Sequence, residues 1–340
     1  MLKRNLMVAG ICFALPLVSL ADSYPKSTVV TSSSGTAAII TEYPIPTTNS
    51  LPMDITLGPD RNLWFTESGS NKIGKITLNG EIAEYGPVSR SFFRLDKITS
   101  GPDQNLWFTG GWSLETGAGN FVGKISITGI YQIYENAATD GCTADAIITG
   151  PDANLWFPSN CLESQDGINK MTPTGIITSY KIQPFEAAGI AKGPDGNLWV
   201  TESSFDRIGK VTLNGVLTEY LIPTPSANPY SIVLGPDRNL WFTEWTGNKI
   251  GKISINGQIT EYNVPTPYSQ PTGIVTGNDG NIWFTESDGN KIAKITLDGQ
   301  VTEYSIPTSN SKPAGITIGA DGNVWFVEES SGKVGKLTLS

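Results

Sequence analysis

A tryptophan recurs through this chain at Trp64, Trp107, Trp156, Trp199, Trp241, Trp283 and Trp325, with successive spacings of 43, 49, 43, 42, 42 and 42 residues. A period of that length, sustained from residue 39 to the C-terminus, marks a repeat architecture and outweighs any local propensity. The unit runs approximately P-x-G-I-x-x-G-P-D-G-N-L-W-F-T-E-x-x-x-N-K-I-G-K-I-T-x-x-G-x-I-T-E-Y-x-I-P. It divides into four short strands. In the fifth unit the first strand ends at Gly235-Pro236-Asp237-Arg238-Asn239, where Pro fixes the corner and Gly and Asn tolerate positive φ. Leu240 to Glu244, Lys249 to Ile255 and Gln258 to Tyr262 follow, the last two joined by the hairpin pair Asn256-Gly257. Apolar and polar residues alternate with period two, which excludes helices. Four antiparallel strands in about 42 residues make one propeller blade. The expected fold is therefore all-β, a seven-bladed β-propeller.

The ends of the chain support ring closure. The seventh unit stops after its third strand, at Gly335 to Leu339, and the missing fourth strand stands at the other end as Ile39-Ile40-Thr41-Glu42-Tyr43. Pairing the two closes the ring and removes two exposed sheet edges. Residues 37–340 are thus expected to be a single propeller, preceded by a flexible, Ser/Thr-rich lead-in over 22–36.

Residues 1–21 read as a secretory signal: Lys3 and Arg4, an apolar run from Leu6 to Leu20, then Ser19 and Ala21 at the small-residue positions. The expected location is the periplasm or the medium. No other apolar run is long enough to span a bilayer, so membrane insertion is not expected. Without the signal the chain carries 21 basic against 32 acidic residues, a net charge of −11. That balance repels polyanions and argues against nucleic acid as a partner. Cys142 and Cys161 then remain, placed at the same end of neighbouring strands of blade three. In an oxidising compartment they are expected to form a disulfide.

Each repeated aromatic is expected to pack between sheets, so function should lie where the repeat departs from itself. Two rings of positions bear on one channel mouth. The first, two residues before the patterned Ile of strand one, reads Met53, Asp96, Asp145, Ala188, Tyr230, Thr272 and Ala314. The second, three residues after each Trp, reads Glu67, Gly110, Ser159, Glu202, Glu244, Glu286 and Glu328. Such a ring of carboxylates suits a cationic ligand or a metal ion, Mg or Ca, with Glu286 and Glu328 as candidate ligands. Alternatively, each Glu pairs with a lysine of N-K-I-G-K. Non-repeat aromatics assigned to the same face are Phe92, Phe93, Trp112, Phe205, Trp245 and Tyr268. The candidate binding set is Asp96, Trp112, Asp145, Phe205, Tyr230, Trp245, Tyr268 and Thr272. A Gly-rich insertion after Trp107 is expected to project beside the mouth as a loop.

The segments G-P-D-G-N-L-W-F-T-E, N-K-I-G-K-I-T and I-T-E-Y-x-I-P resemble those of the virginiamycin B lyase (streptogramin lyase) family, over Ile39 to Ser340. The resemblance implies a seven-bladed propeller that opens a cyclic depsipeptide by magnesium-assisted elimination. It also implies that histidines in P-H-[AG]-I segments of the last two blades, with nearby glutamates, carry the chemistry. Here those segments are Gln270-Pro271-Thr272-Gly273-Ile274 and Lys312-Pro313-Ala314-Gly315-Ile316, and the chain contains no histidine. Thr272 and Ala314 stand at the histidine positions, Lys312 stands where an acid is expected, and Glu328 matches an acidic position. Neither Thr272 nor Ala314 is a base near neutral pH, so the family's mechanism is not expected to operate.

The expected function is that of an exported, monomeric, non-catalytic propeller that binds a small molecule, peptide or protein and requires no cofactor. The alternative is a metal-assisted carbon-oxygen lyase on a depsipeptide, ester or lactone, with a rebuilt, histidine-free site using Asp96 or Asp145 as base. A structural surface protein is a third possibility without a feature that favours it.

Overall fold

The computed structural model describes residues 24–88, 93–114, 117–135, 142–161, 167–183 and 185–339. Seven antiparallel sheets follow one another along the chain as seven blades, with strands in order from the channel outward. In blade 5 these are Pro229–Leu234, Leu240–Glu244, Lys249–Ile253 and Ile259–Asn263. Every residue of Leu240–Glu244 is buried, because neighbouring blades cover both faces of the strand. Trp241 packs with Ile274 and Phe284 of blade 6, whereas Phe242 packs with Trp199 of blade 4. The same exchange closes the ring, where Trp325 of blade 7 meets Phe65 of blade 1.

Each indole is held in one orientation by its own blade. The aspartate of the preceding turn accepts the Trp Nε1–H at 2.9–3.2 Å in all seven blades. Its second oxygen accepts from the turn asparagine, as Asp237 does from Asn239 at 2.8 Å. A third-strand lysine lies 4.9–5.6 Å over each indole. The fourth-strand tyrosine stacks alongside at 5.4–5.9 Å. The glycine opening the G-P-D turn is steric: a Cβ on Gly235 would stand 2.5 Å from Trp241 Cδ1.

Ala37–Pro44 pairs with Lys333–Leu339, supplying the fourth strand of blade 7 as expected. The lead-in differs from expectation. Lys26–Thr31 forms a fifth, outermost strand on Ala37–Pro44, because its β-branched run Thr28-Val29-Val30-Thr31 satisfies the edge that remained open. The intervening turn reaches blade 6, with Ser33 N donating to Glu303 O at 2.9 Å and Ser33 Oγ accepting from Glu303 N at 3.0 Å.

The glutamate ring also departs from expectation. Glu67, Glu202, Glu244, Glu286 and Glu328 are fully buried between blades rather than on the channel mouth. Each faces a fourth-strand glutamate, Glu84, Glu219, Glu261, Glu303 and Glu42 respectively. The basic residue at the start of strand three ion-pairs with that outer partner, as Lys249 does with Glu261 at 3.5 Å and Lys333 with Glu42 at 3.4 Å. The lysine pairing is therefore real but shifted to the fourth strand. Burial, reinforced by the Glu261 or Glu303 charge, pushes Glu244 and Glu286 up from 4.5 to about 8. Glu67, Glu202 and Glu328 are raised by the same causes.

A carboxyl whose pKa is raised on folding contributes most below its unfolded pKa, and that contribution is lost as pH rises through the folded value. Five such groups should make the protein most stable on the acid side of neutrality. The lower bound is set by Asp103, Asp152, Asp195, Asp237 and Asp279. Against the cost of burial, indole and amide donors hold these below the ordinary range. Thermal unfolding should therefore give a Tm that falls from about pH 5 to about pH 9, and Glu244→Gln should raise the Tm at the alkaline end by about 2 °C or more. A Tm that rises with pH over that interval would contradict this account.

Candidate functional site

The innermost strands of six blades carry a bulge just before the patterned isoleucine, as between Pro229 and Ile232 in blade 5. The bulge turns backbone toward the channel, and a buried second-strand threonine fixes it. Thr243 Oγ1 accepts from Ser231 N at 3.0 Å and donates to Thr272 O of the next blade at 3.0 Å. Thr66, Thr201 and Thr285 bridge in the same way to Asp96, Tyr230 and Ala314. The carbonyls of the mouth residues are thereby tied to the preceding blade.

Two adjoining cavities of about 450 and 320 Å³ open at this mouth. Between them they are lined by all seven first-ring residues, Met53, Asp96, Asp145, Ala188, Tyr230, Thr272 and Ala314. Met53, Lys97, Tyr230 and Trp245 border both. Of the sequence candidates, Tyr230, Trp245 and Thr272 line the larger cavity, and Asp96, Asp145, Tyr230 and Trp245 the smaller. Phe205 stands apart, in the turn Ser203–Phe205 under the Arg207 guanidinium at 5.8 Å, and Tyr268 is 87% exposed; neither borders these cavities. Glu286 and Glu328 belong to the buried pairs. The insertion after Trp107 is an extended hairpin, Leu106–Leu114 with Gly117–Ile125, rather than a loop, since the ladder continues to Leu114 opposite Gly117. Trp112 falls on that ribbon opposite Gly119 and Phe93; its side chain, like Phe92, lies outside the described residues. Cys142 stands directly opposite Cys161 in the backbone register.

The inner ring, one residue farther along each strand, was missed by sequence reasoning. It reads Asp54, Lys97, Ala146, Gly189, Ser231, Gly273 and Gly315, and the departures from the P-x-G-I glycine at Asp54 and Lys97 were the available signal. Space explains the glycines, since a Cβ on Gly315 would lie 2.6 Å from Asp54 Cα. Asp54 Oδ2 accepts the Ile98 N–H at 3.0 Å; burial raises its pKa against the pull of Lys97. Burial likewise pushes Asp96 up to about 6, opposed by Arg94 at 3.1 Å and reinforced by Asp145. Arg94 also lies 3.8 Å from Asp145, whose carboxylate accepts from Asn160 Nδ2 at 2.9 Å. Burial disfavours the Lys97 cation, yet Tyr230, Asp54, Asp96 and Asp145 hold its pKa above the ordinary value. Across the mouth Lys312 pairs with Asp288, and burial raises Glu329 against the attraction of Lys312.

The virginiamycin B lyase family model matches residues 31–157 and 136–340. The chain belongs to the virginiamycin B lyase family. A solved streptogramin B lyase is 35% identical at a TM-score of 0.78, over 88% of this chain and 97% of that one. A catalytically inactive histidine-to-alanine variant of virginiamycin B lyase from Staphylococcus aureus, crystallised with quinupristin, is 34% identical at the same TM-score, covering 88% and 99%. A Bacteroides caccae protein of unknown function, 16% identical at a TM-score of 0.53, shares the fold alone.

Tight packing at the inner ring is testable. Gly315→Ala drives a methyl group into the Asp54 backbone and should destabilise the protein by about 1–3 kcal/mol in denaturant unfolding. An unchanged midpoint would show that the strands separate freely there.

Proposed function

We propose that this virginiamycin B lyase family member is an exported propeller that holds a ligand at the channel mouth without cleaving it. One observation carries the proposal: Thr272 and Ala314, at the positions where the resemblance implies histidines, both line the larger cavity. Elimination requires a group that takes a proton near neutral pH, and a threonine hydroxyl and a methyl group do not. The S. aureus relative named above supports the separation of binding from turnover, since it is inactive after one histidine-to-alanine replacement yet crystallised with quinupristin. A lined cavity, a half-exposed Trp245 and Tyr230 remain as the means of binding.

Magnesium is the ion the resemblance implies, and the residues here do not fit it. Lys312 brings an ammonium into the same cavity, and Glu286 and Glu328 are buried against other glutamates. No group of three or more Asp, Glu, Cys or His side chains among the described residues is arranged to hold a metal. A second reading, the rebuilt lyase, rests on Asp96, whose pKa of about 6 would let it accept a proton at this mouth.

Incubation of the mature protein with a streptogramin B antibiotic and magnesium, followed by mass spectrometry, should return the intact ring. Linearisation that disappears in Asp96→Asn would overturn the binding reading and establish the rebuilt lyase. Export carries its own expectation. Residues 1–21 should be absent from the exported protein, and non-reduced peptides should contain Cys142 linked to Cys161, as their opposed register allows. Two free thiols in that material would count against the exported state.

A further inference from the structure

Lys97 belongs to blade 2 and Tyr230 to blade 5, on opposite sides of a seven-membered ring, yet the Lys97 ammonium lies 5.4 Å over the Tyr230 ring. The side chain therefore crosses the channel, and it borders a third, deeper cavity of about 120 Å³ as well as the two at the mouth. It makes no ion pair among the described residues, so its three N–H donors point into the cavity region without a carboxylate in contact.

The charges around it choose among ligands. Donors Arg94, Lys97 and Lys312 are interleaved with the carboxyl groups of Asp54, Asp96, Asp145, Asp288 and Glu329. An anionic ligand at Lys97 would face Asp54, Asp96 and Asp145, and a cationic one would face Lys97 with Arg94 or Lys312. Neighbouring donors and acceptors of this kind are both satisfied by hydroxyl groups, each of which donates and accepts. Trp245, 37% exposed at the junction of the two mouth cavities, offers an indole face for the C–H face of a ring. The apolar lining beyond the aromatics is Met53, Ala188, Ala314, Ile274 and Ile316, and the two isoleucines are themselves buried in the packing between blades, so they present little surface to a ligand.

From this juxtaposition we infer that the mouth is a binding site for a neutral saccharide, stacked on Trp245 and hydrogen-bonded from below by the cross-channel Lys97. The inference rests on the binding reading of the same cavity and names its ligand class.

The test uses the full mature protein and a panel of neutral oligosaccharides (β-1,4-glucan, α-1,4-glucan, β-1,4-linked N-acetylglucosamine and mannan). An acidic hexuronan and quinupristin serve as comparators. Binding is followed by isothermal titration calorimetry for every variant and, in the wild type, by the indole N–H resonance that Trp245→Ala assigns. A neutral saccharide should shift that resonance, and Trp245→Ala and Lys97→Met should each weaken its binding about tenfold or more. The hexuronan should not compete. Should Lys97→Met fail to fold, Trp245→Ala, on a half-exposed side chain, carries the test alone. Saccharide binding indifferent to these variants, or a shift produced by quinupristin and by no saccharide, overturns the saccharide inference and leaves the binding reading standing. No shift from any compound overturns both.

Discussion

The indole held between blades is the interaction on which the rest depends. Each tryptophan is fixed by an aspartate in its own turn, covered by a lysine and a tyrosine of its own sheet, and pressed onto Phe65, Phe108, Phe157, Val200, Phe242, Phe284 or Phe326 of the next. Burial of one such ring contributes roughly 3 kcal/mol, and an indole N–H buried without its acceptor would cost roughly 1–3 kcal/mol. The two terms are tied together, because the aspartate that satisfies the N–H also sets the angle at which the ring meets its neighbour. Both faces of every blade bury apolar side chains against a neighbour, so no blade can stop the sequence of contacts; the ring must close on itself. The N-terminal strand achieves that closure, and the added strand Lys26–Thr31 with its Ser33 contacts ties blade 7 to blade 6.

A frame that is repeated seven times leaves the inner rim free to vary. The threonine two residues after the buried tryptophan binds two backbones at once at Thr66, Thr201, Thr243 and Thr285, so a mouth residue can change without disturbing the bulge that presents it. In blade 6 the threonine, Thr285, brings neighbouring inner strands so close that a Cβ on Gly273 would lie 2.4 Å from Ala314 O. Charged side chains at the inner ring are confined to Asp54 and Lys97, in adjacent blades, where they lie within electrostatic reach of each other. The larger cavity, bounded by blades with Gly273 and Gly315 at this level, is correspondingly the roomier one.

The acidic character of the chain acquires a different meaning from this arrangement. Five of its glutamates are not a surface feature at all; they sit buried between blades, each facing a second glutamate, and burial raises their pKa. The channel mouth, by contrast, sets the bases Arg94, Lys97 and Lys312 among the carboxyl groups of Asp54, Asp96, Asp145, Asp288 and Glu329.

The sequence by itself determined the blade count, the strand order, the closure by Ile39–Tyr43 and the first ring of mouth residues, because these follow from period and hairpin register alone. It also showed that the chain contains no histidine. Two things escaped it for one physical reason. The glutamate three residues after five of the tryptophans lies on the strand face toward the neighbouring blade, and period-two alternation cannot say whether such a face meets water or another sheet. Lys97 stands at the position of the repeat glycine, but only the ring geometry shows that its side chain is long enough to cross the channel to Tyr230. Contacts between residues 133 positions apart in the chain arise from the curvature of seven packed sheets, and that curvature is a property of the assembled fold.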